Sequence, residues 1–243
     1  MKQIIMTLLA LMTTVVMTAQ TELWIAGSAV PGGAQRLDAF PSGQFKFAGT
    51  LNAGELKIMT TEKATSATRY LAPQAEDACV VNKGLAFEQT DDAAAEGWRV
   101  PFAGDRYKLV IDTKTAILHG EIFAPWRELF LTGGACEAGW KAFMLLPFTQ
   151  DKANPDVFTW TGELREGKDV VEPRRIKITG QNYWGPKSLH PYTQDEAALG
   201  SAFMRHEGDD TKWEIGADGI YRLTVNVFKD TFKAEYLGSG VQH

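Results

Sequence analysis

Hydrophobic and polar residues alternate along most of the chain after residue 20. Residues 56–58 and 176–178 both place a lysine between two apolar side chains, which is the period of a half-buried β-strand. Gly, Pro, Asn and Asp separate such stretches and are typical of turns. A helical pattern is weak and confined to residues 197–205. The pattern therefore predicts an all-β protein.

The same pattern occurs twice along the chain. Six blocks recur in the same order in the two halves, and such an order indicates an internal repeat. The matched blocks are residues 23–27 with 129–133, 45–54 with 158–167, 56–58 with 176–178, 69–73 with 182–186, 98–100 with 213–215, and 107–112 with 221–226. About seven short strands in about 100 residues, closed by a hairpin, are typical of a β-sandwich. We therefore predict two tandem immunoglobulin-like β-sandwich domains, over residues 20–123 and 125–238.

Residues 1–19 differ in composition from the rest of the chain. Lys2 precedes an apolar run over residues 4–16 that is too short to span a bilayer, and Ala19 precedes a suitable cleavage point. We expect these residues to be a secretory signal peptide and the mature chain to be exported. Because no Cys lies near residue 20, we expect no lipid anchor there. Periplasm, cell surface and secretion all remain open as the final location.

Composition restricts the possible partners, and the chain is rich in tryptophan. The net charge of −5 argues against nucleic acid or an anionic membrane, because both bind basic patches. Seven Trp residues are many for a chain of this length. Trp98 and Trp213 occupy equivalent places before the closing hairpins, so we expect them in the two cores. Cys79 and Cys136 either pair in an oxidising compartment or remain free thiols.

One loop of the second copy carries large aromatic residues in a polar setting. A predicted strand points Lys177 outward, and Tyr183 and Trp184 follow it, just before a Gly-Pro turn. Trp140 follows the first strand of the same copy. A sugar ring packs its C–H face on an aromatic ring, while its hydroxyls accept hydrogen bonds from an ammonium group. These four residues are therefore candidates for carbohydrate binding, with burial of the two Trp residues as the alternative.

The motifs of the second copy also carry a family resemblance. They read Gly-x-x-x-x-Gly-Trp, Phe-x-Trp-x-Gly-x-Leu-x-x-Gly, Ile-Lys-Ile and Tyr-Trp-Gly-Pro. In this order they resemble the starch-binding β-sandwich domains of the SusE/SusF outer-membrane family and, more distantly, glycogen-binding domains. The resemblance implies that Trp140, Lys177 and Trp184 bind an α-glucan. It also implies a partner, an outer-membrane glycan-uptake complex.

The first copy departs from these motifs at the proposed contact positions. In the block alignment Ala34 stands where the second copy has Trp140, and Leu71 stands where it has Trp184. Lys57, Arg69 and Tyr70 remain as weaker candidates for binding in the first copy. The first copy is therefore expected to have a degenerate site.

Functions other than glycan binding have less support from the sequence. A glycoside hydrolase needs two carboxyl groups facing one cleft, and the acidic residues here fall mostly in turns without a matched pair in the two copies. Phosphate-loop, Gly-x-Ser-x-Gly and Cys–His signatures are absent, and the four His residues include no spaced pair suited to zinc. We therefore expect no enzyme activity, no cofactor and no metal. A protein-interaction or adhesion module of a cell-surface or periplasmic assembly remains the alternative function.

Overall fold

The computed structural model describes residues 21–167, 171–206 and 208–239. The predicted signal peptide lies outside the described residues. Strands and isolated bridges make up 46% of the described residues, and the fold is all-β, as the alternating pattern predicted. Every β-ladder among the described residues lies within one half of the chain, so the two halves form tandem β-sandwiches.

The first sandwich is a single path of paired strands folded into two layers. Its strands are β1 Trp24–Ala26, β2 Gln35–Arg36, β3 Asp38–Phe40, β4 Gln44–Thr50, β5 Gly54–Met59, β6 Tyr70–Pro73, β7 Asn82–Thr90, β8 Trp98–Val100, β9 Arg106–Asp112 and β10 Ile117–Ile122, with a 3-10 turn at Pro41–Gly43. The order is β2-β1-β5-β6-β7-β10-β9-β4-β3, with β8 also on β5. Strand β7 pairs with β10 through its first half and with β6 through its last residues, so it connects the layers.

The second sandwich has two separate sheets. Its strands are β11 Phe130–Thr132, β12 Leu146–Pro147, β13 Thr149–Gln150, β14 Val157–Leu164, β15 Arg175–Thr179, β16 Ser188–Leu189, β17 Glu196–Ala197, β18 Trp213–Glu214, β19 Gly219–Asn226 and β20 Thr231–Gly238. One sheet has the order β12-β11-β15-β18-β17, with β16 on β15, and the other has the order β13-β14-β19-β20. Residues 197–205, where the sequence suggested a weak helix, contain only the end of β17, a turn and isolated bridges, so that expectation was wrong.

The register of the first strand is equivalent in the two halves. In the first sandwich Ala26 lies opposite Lys57, and in the second Thr132 lies opposite Lys177. Each first strand ends at a glycine with positive φ, 110° at Gly27 and 138° at Gly133. A Cβ atom at either glycine would lie 2.4 Å or 2.2 Å from a backbone carbonyl oxygen of the neighbouring chain segment. Only glycine fits this close approach, which explains why both copies have it.

Each half has its own hydrophobic core. Trp98 and Trp213 are fully buried in the first and second core, as their equivalent positions predicted. Tyr107 and Tyr221 are also buried in equivalent places, and each donates its hydroxyl hydrogen to a backbone carbonyl four or five residues upstream. Cys79 and Cys136 fall in different halves and are free thiols.

The two sandwiches meet through a buried polar cluster, which we call the ionic joint. Its members are Lys46 and Lys108 of the first sandwich and His206 and Asp230 of the second. The Asp230 carboxylate accepts hydrogen bonds from both ammonium groups and lies 2.7 Å from Nε2 of His206. Aromatic contacts flank the cluster, with the ring centroids of Phe40 and Phe203 4.5 Å apart.

Candidate functional site

Two loops of the second sandwich carry the exposed aromatic residues. The first runs from Gly133 to β12 and contains Trp140 and Phe143, and the second joins β15 to β16 and contains Tyr183 and Trp184. The backbone N–H of Phe143 in the first loop donates to the carbonyl of Asn182 in the second at 2.9 Å, so the two loops meet. We call the exposed surface that they form together the aromatic face.

The two tryptophans of the aromatic face lie side by side. The ring centroids of Trp140 and Trp184 are 6.3 Å apart, and the ring planes differ by 31°. Trp184 is 47% exposed, while Trp140 is half-buried and donates its indole N–H to the carbonyl of Val171 at 3.1 Å. The two indoles are therefore neighbours, and Trp184 is the more exposed of the two.

A charged group borders each indole. The Lys177 ammonium nitrogen lies 6.0 Å from the Trp184 ring centroid, and that of Lys212 lies 5.8 Å from the Trp140 ring centroid. Asp210 connects them, at 2.6 Å from Lys177 and 3.4 Å from Lys212. An ammonium carries three N–H donors, so Lys177 can bind Asp210 and still donate to a ligand hydroxyl.

Asp210 remains ionised in this arrangement. Partial burial raises the pKa of the Asp210 carboxyl, but the hydrogen bond and positive charge of Lys177, together with Lys212, outweigh that effect. The pKa therefore lies below its ordinary value. A carboxylate held in the charged form accepts hydrogen bonds and does not act as a proton donor near neutral pH.

A second aromatic pair adjoins the tryptophans. The rings of Phe143 and Tyr183 are nearly parallel, with centroids 6.1 Å apart and an interplanar angle of 23°. The backbone N–H groups of Phe143 and Leu145 bind the carbonyl and side-chain oxygens of Asn182 at 2.9 Å and 3.1 Å. Asn182 therefore ties the two loops to each other.

The structure brings together all four residues that the sequence indicated for the second copy: Trp140, Lys177, Tyr183 and Trp184. Sequence reasoning missed Phe143, Asp210 and Lys212. Phe143 could have been found from the sequence, because it follows Trp140 by three residues within the same turn-rich segment. The contact of Asp210 with Lys177 spans 33 positions, which no local pattern reveals.

The first copy is different at both loops. The strand register places Leu71 opposite Ile58, as Leu189 lies opposite Ile178. The sequence alignment of Leu71 with Trp184 was therefore wrong, because Leu71 is a core residue of the strand that follows the loop. The corresponding loop, residues 60–69, contains no aromatic residue, and the loop at residues 27–34 is shorter than residues 133–145.

The three weaker candidates of the first copy lie apart from any exposed aromatic surface. Tyr70 is 8% exposed and lies within β6. Lys57 donates to the carbonyl of Ala93 at 2.8 Å, and Arg69 donates to the carbonyl of Thr68 at 3.1 Å. Their polar groups are therefore engaged by the fold itself.

The described part of the chain offers no cluster of three or more His, Cys, Asp or Glu side chains that could hold a metal ion. No helix among the described residues is both long and apolar enough to cross a membrane. The rings of the aromatic face can stack on a ligand, and the ammonium groups beside them can donate hydrogen bonds.

Comparison with solved structures shows a distant likeness to a known protein. No family model and no curated protein match the chain. Among solved structures, the chain is similar to SusF from Bacteroides thetaiotaomicron, with 15% sequence identity and a TM-score of 0.41. The similarity covers 90% of this chain and 49% of that protein, so the chain spans about half of its length.

Proposed function

We propose that the protein binds a neutral glycan, without catalysis, at the aromatic face of its second sandwich. The observation that carries the proposal is the pair formed by Trp140 and Trp184, which presents adjacent indole rings to solvent beside the Lys177 ammonium. Leaving such rings in water is unfavourable, and a sugar would cover them with its C–H face while its hydroxyls bind Lys177 and Asp210.

The nature of the glycan, the location and the partners are further parts of this proposal. The resemblance of the loop motifs to the SusE/SusF family supports an α-glucan such as a starch oligosaccharide. The apolar run at residues 4–16 supports export, and the same resemblance supports work alongside an outer-membrane glycan-uptake complex. In this scheme the first sandwich positions the second, since its own loops lack the aromatic residues.

The carboxylates beside the two tryptophans are paired with basic side chains, which argues against catalysis. Asp210 pairs with Lys177 and Lys212, and Glu172 pairs with Arg175. Glycoside hydrolysis requires one carboxyl group with a raised pKa to protonate the leaving oxygen. Lys177 and Lys212 stabilise Asp210 as an anion instead, so it serves binding and orientation.

A titration calorimetry experiment tests the proposal. Maltoheptaose added to the mature protein should bind with a Kd in the micromolar to millimolar range, about −4 to −8 kcal/mol, because hydroxyl desolvation offsets much of the stacking. Trp184→Ala should weaken binding by about 1–3 kcal/mol, the range for stacking on an aromatic ring. Phe102→Ala, which removes an exposed ring of the first sandwich, is the matched control and should bind normally. Normal binding by a folded Trp184→Ala variant would place the site elsewhere.

An interaction module for another protein is the second candidate. Exposed Met144 and Val171 border the aromatic face, and aliphatic side chains suit a protein partner better than a sugar. This function would be favoured if no member of a glycan panel bound the mature protein and Trp184→Ala abolished capture of a defined protein partner.

A further inference from the structure

The exposure of Phe143 calls for an explanation beyond the fold. Its side chain is 74% exposed, the highest value among the large hydrophobic residues of the described chain. Its backbone has φ of +65°, a left-handed conformation that bulky residues rarely adopt. An exposed ring on a strained backbone stabilises nothing by itself, and such combinations cluster at sites that bind ligands.

The surrounding contacts hold this unfavourable conformation in place. Asn182 accepts backbone hydrogen bonds from Phe143 and Leu145, through its main-chain and side-chain oxygens. The Phe143 ring is thereby kept nearly parallel to the ring of Tyr183, which is 49% exposed. The pair is therefore preorganised before any ligand arrives, which lowers the entropic cost of binding.

The position of the pair indicates what it would bind. Each loop supplies one ring to each pair, since Trp140 and Phe143 share the first loop and Tyr183 and Trp184 are consecutive in the second. The two pairs are therefore neighbours on one continuous surface. Lys177 and Lys212 lie beside the indoles, whereas the described contacts of the Phe143–Tyr183 pair include no charged side chain.

We infer that Phe143 and Tyr183 form a second sugar subsite, which extends the tryptophan platform along the ligand chain. This inference rests on the proposed glycan-binding function. A subsite of two rings without charged neighbours packs on sugar C–H groups. It discriminates little between sugars that differ in the arrangement of their hydroxyl groups. It adds affinity only for a ligand long enough to reach it. The protein therefore discriminates oligosaccharides by length, and it binds a polysaccharide chain better than a short fragment.

Comparison of two ligand lengths tests this subsite. Maltotriose and maltoheptaose are titrated into the unaltered protein and into Phe143→Ala, Phe143→Leu and the control Phe102→Ala. We expect each subsite variant to lower the association constant for maltoheptaose at least about fivefold, the lower end of the range for loss of a stacking ring. Its constant for maltotriose should stay within about twofold of the unaltered protein. Phe143→Leu should behave like Phe143→Ala, because the flat ring face is what the sugar contacts.

The outcomes distinguish a failure of the second subsite from a failure of the tryptophan site. Equal losses for both ligands, or no loss for either, overturn the second subsite and leave the tryptophan site standing. Binding of neither ligand by the unaltered protein overturns the proposed function and the subsite together. Each variant should melt close to the temperature of the unaltered protein. Any change in binding then results from the lost ring and not from unfolding.

Discussion

The ammonium group of Lys46 in the first sandwich lies 2.9 Å from a carboxylate oxygen of Asp230 in the second. Both side chains are almost fully buried, at 9% and 3% exposure, and Lys108 binds the other oxygen of the same carboxylate. Charges taken out of water are costly unless they are paired. The ionic joint therefore makes the relative position of the two sandwiches specific, because any other position would leave these charges unpaired.

Asp230→Asn should strongly destabilise the protein. The variant removes the counter-charge of two buried ammonium groups, and loss of one partner of a buried pair costs about 3–5 kcal/mol. The free energy of unfolding, measured in urea, should fall by that amount. Asp91→Asn removes an exposed carboxylate and should change it by less than about 0.5 kcal/mol. Equal effects of the two substitutions would contradict the role given to the joint.

The contribution of the ionic joint should disappear in acid. Burial by itself raises the pKa of Asp230, but the hydrogen bond from His206 and the charges of Lys108 and Lys46 outweigh it, and the pKa lies well below the ordinary value of 3.8. A carboxyl whose folded pKa is depressed stabilises the fold above its unfolded pKa, and this stabilisation is lost as the pH falls through its folded pKa. The unaltered protein and Asp230→Asn should therefore differ most near pH 6–7 and converge progressively below about pH 4. A constant difference across this range would contradict the prediction.

Lys177→Ala should weaken glycan binding and leave its salt dependence flat. Loss of a charged hydrogen bond to a ligand hydroxyl costs about 1.5–3 kcal/mol. A neutral sugar displaces no condensed counterions, so added salt should change the Kd of the unaltered protein little. Asp210→Ala should weaken binding less, because it removes the group that orients Lys177 at 2.6 Å and keeps the ammonium itself. A steep salt dependence would indicate a charged ligand instead.

Gly133→Ala and Gly27→Ala should destabilise the two sandwiches to a similar extent. Each added Cβ would lie within 2.4 Å of a backbone carbonyl oxygen, at a positive φ. Backbone crowding combined with left-handed strain should cost about 3 kcal/mol or more in unfolding free energy. Gly200→Ala and Gly104→Ala have positive φ and open space around the new methyl group, so they should cost only about 1–2 kcal/mol. Similar losses for all four variants would show that crowding is unimportant.

The predicted domain boundaries remain a proposal that fragments can test. We propose that residues 20–123 and 125–238 each fold alone, because each half has its own core. Both fragments should unfold cooperatively in urea and should be less stable than the intact chain, which retains the ionic joint. The ring of Phe123 packs 4.8 Å from that of Phe228, so a second fragment beginning at residue 123 should be the more stable version. Disordered fragments would contradict independent folding.

The sequence predicted the strand framework because local patterns encode it. Period-two alternation marked the strands, and the repeat identified equivalent core residues such as Trp98 and Trp213. The weak helix predicted for residues 197–205 does not form, because tertiary pairing overrides a weak helical propensity. Ala197 lies beside Glu214 in a short parallel strand pair. Leu71 was misplaced because the block alignment matched a loop to a strand, and only the pairing with Ile58 reveals the true register.

The sequence indicates candidate site residues that stand out locally, and it does not reveal the neighbours that only the fold brings to them. Tyr183 and Trp184 stood out as large aromatic residues in a polar loop. Lys212 lies beside Trp140 only because β18 pairs with β15, and sequence spacing does not contain that information. The ionic joint was missed for the same reason, since Lys46 and Asp230 are separated by 184 positions.

The two unequal loops have a consequence for how such proteins acquire and lose ligands. The aromatic face belongs to two segments, residues 139–145 and 180–187, whose aromatic side chains lie outside the core of the second sandwich, whereas Ala135, Cys136 and Ala138 just before the first segment are core residues. Exchanging these two segments for residues 31–34 and 60–69 of the first sandwich should therefore leave its core side chains in place. A binding surface of this kind can change while the sandwich that carries it stays the same.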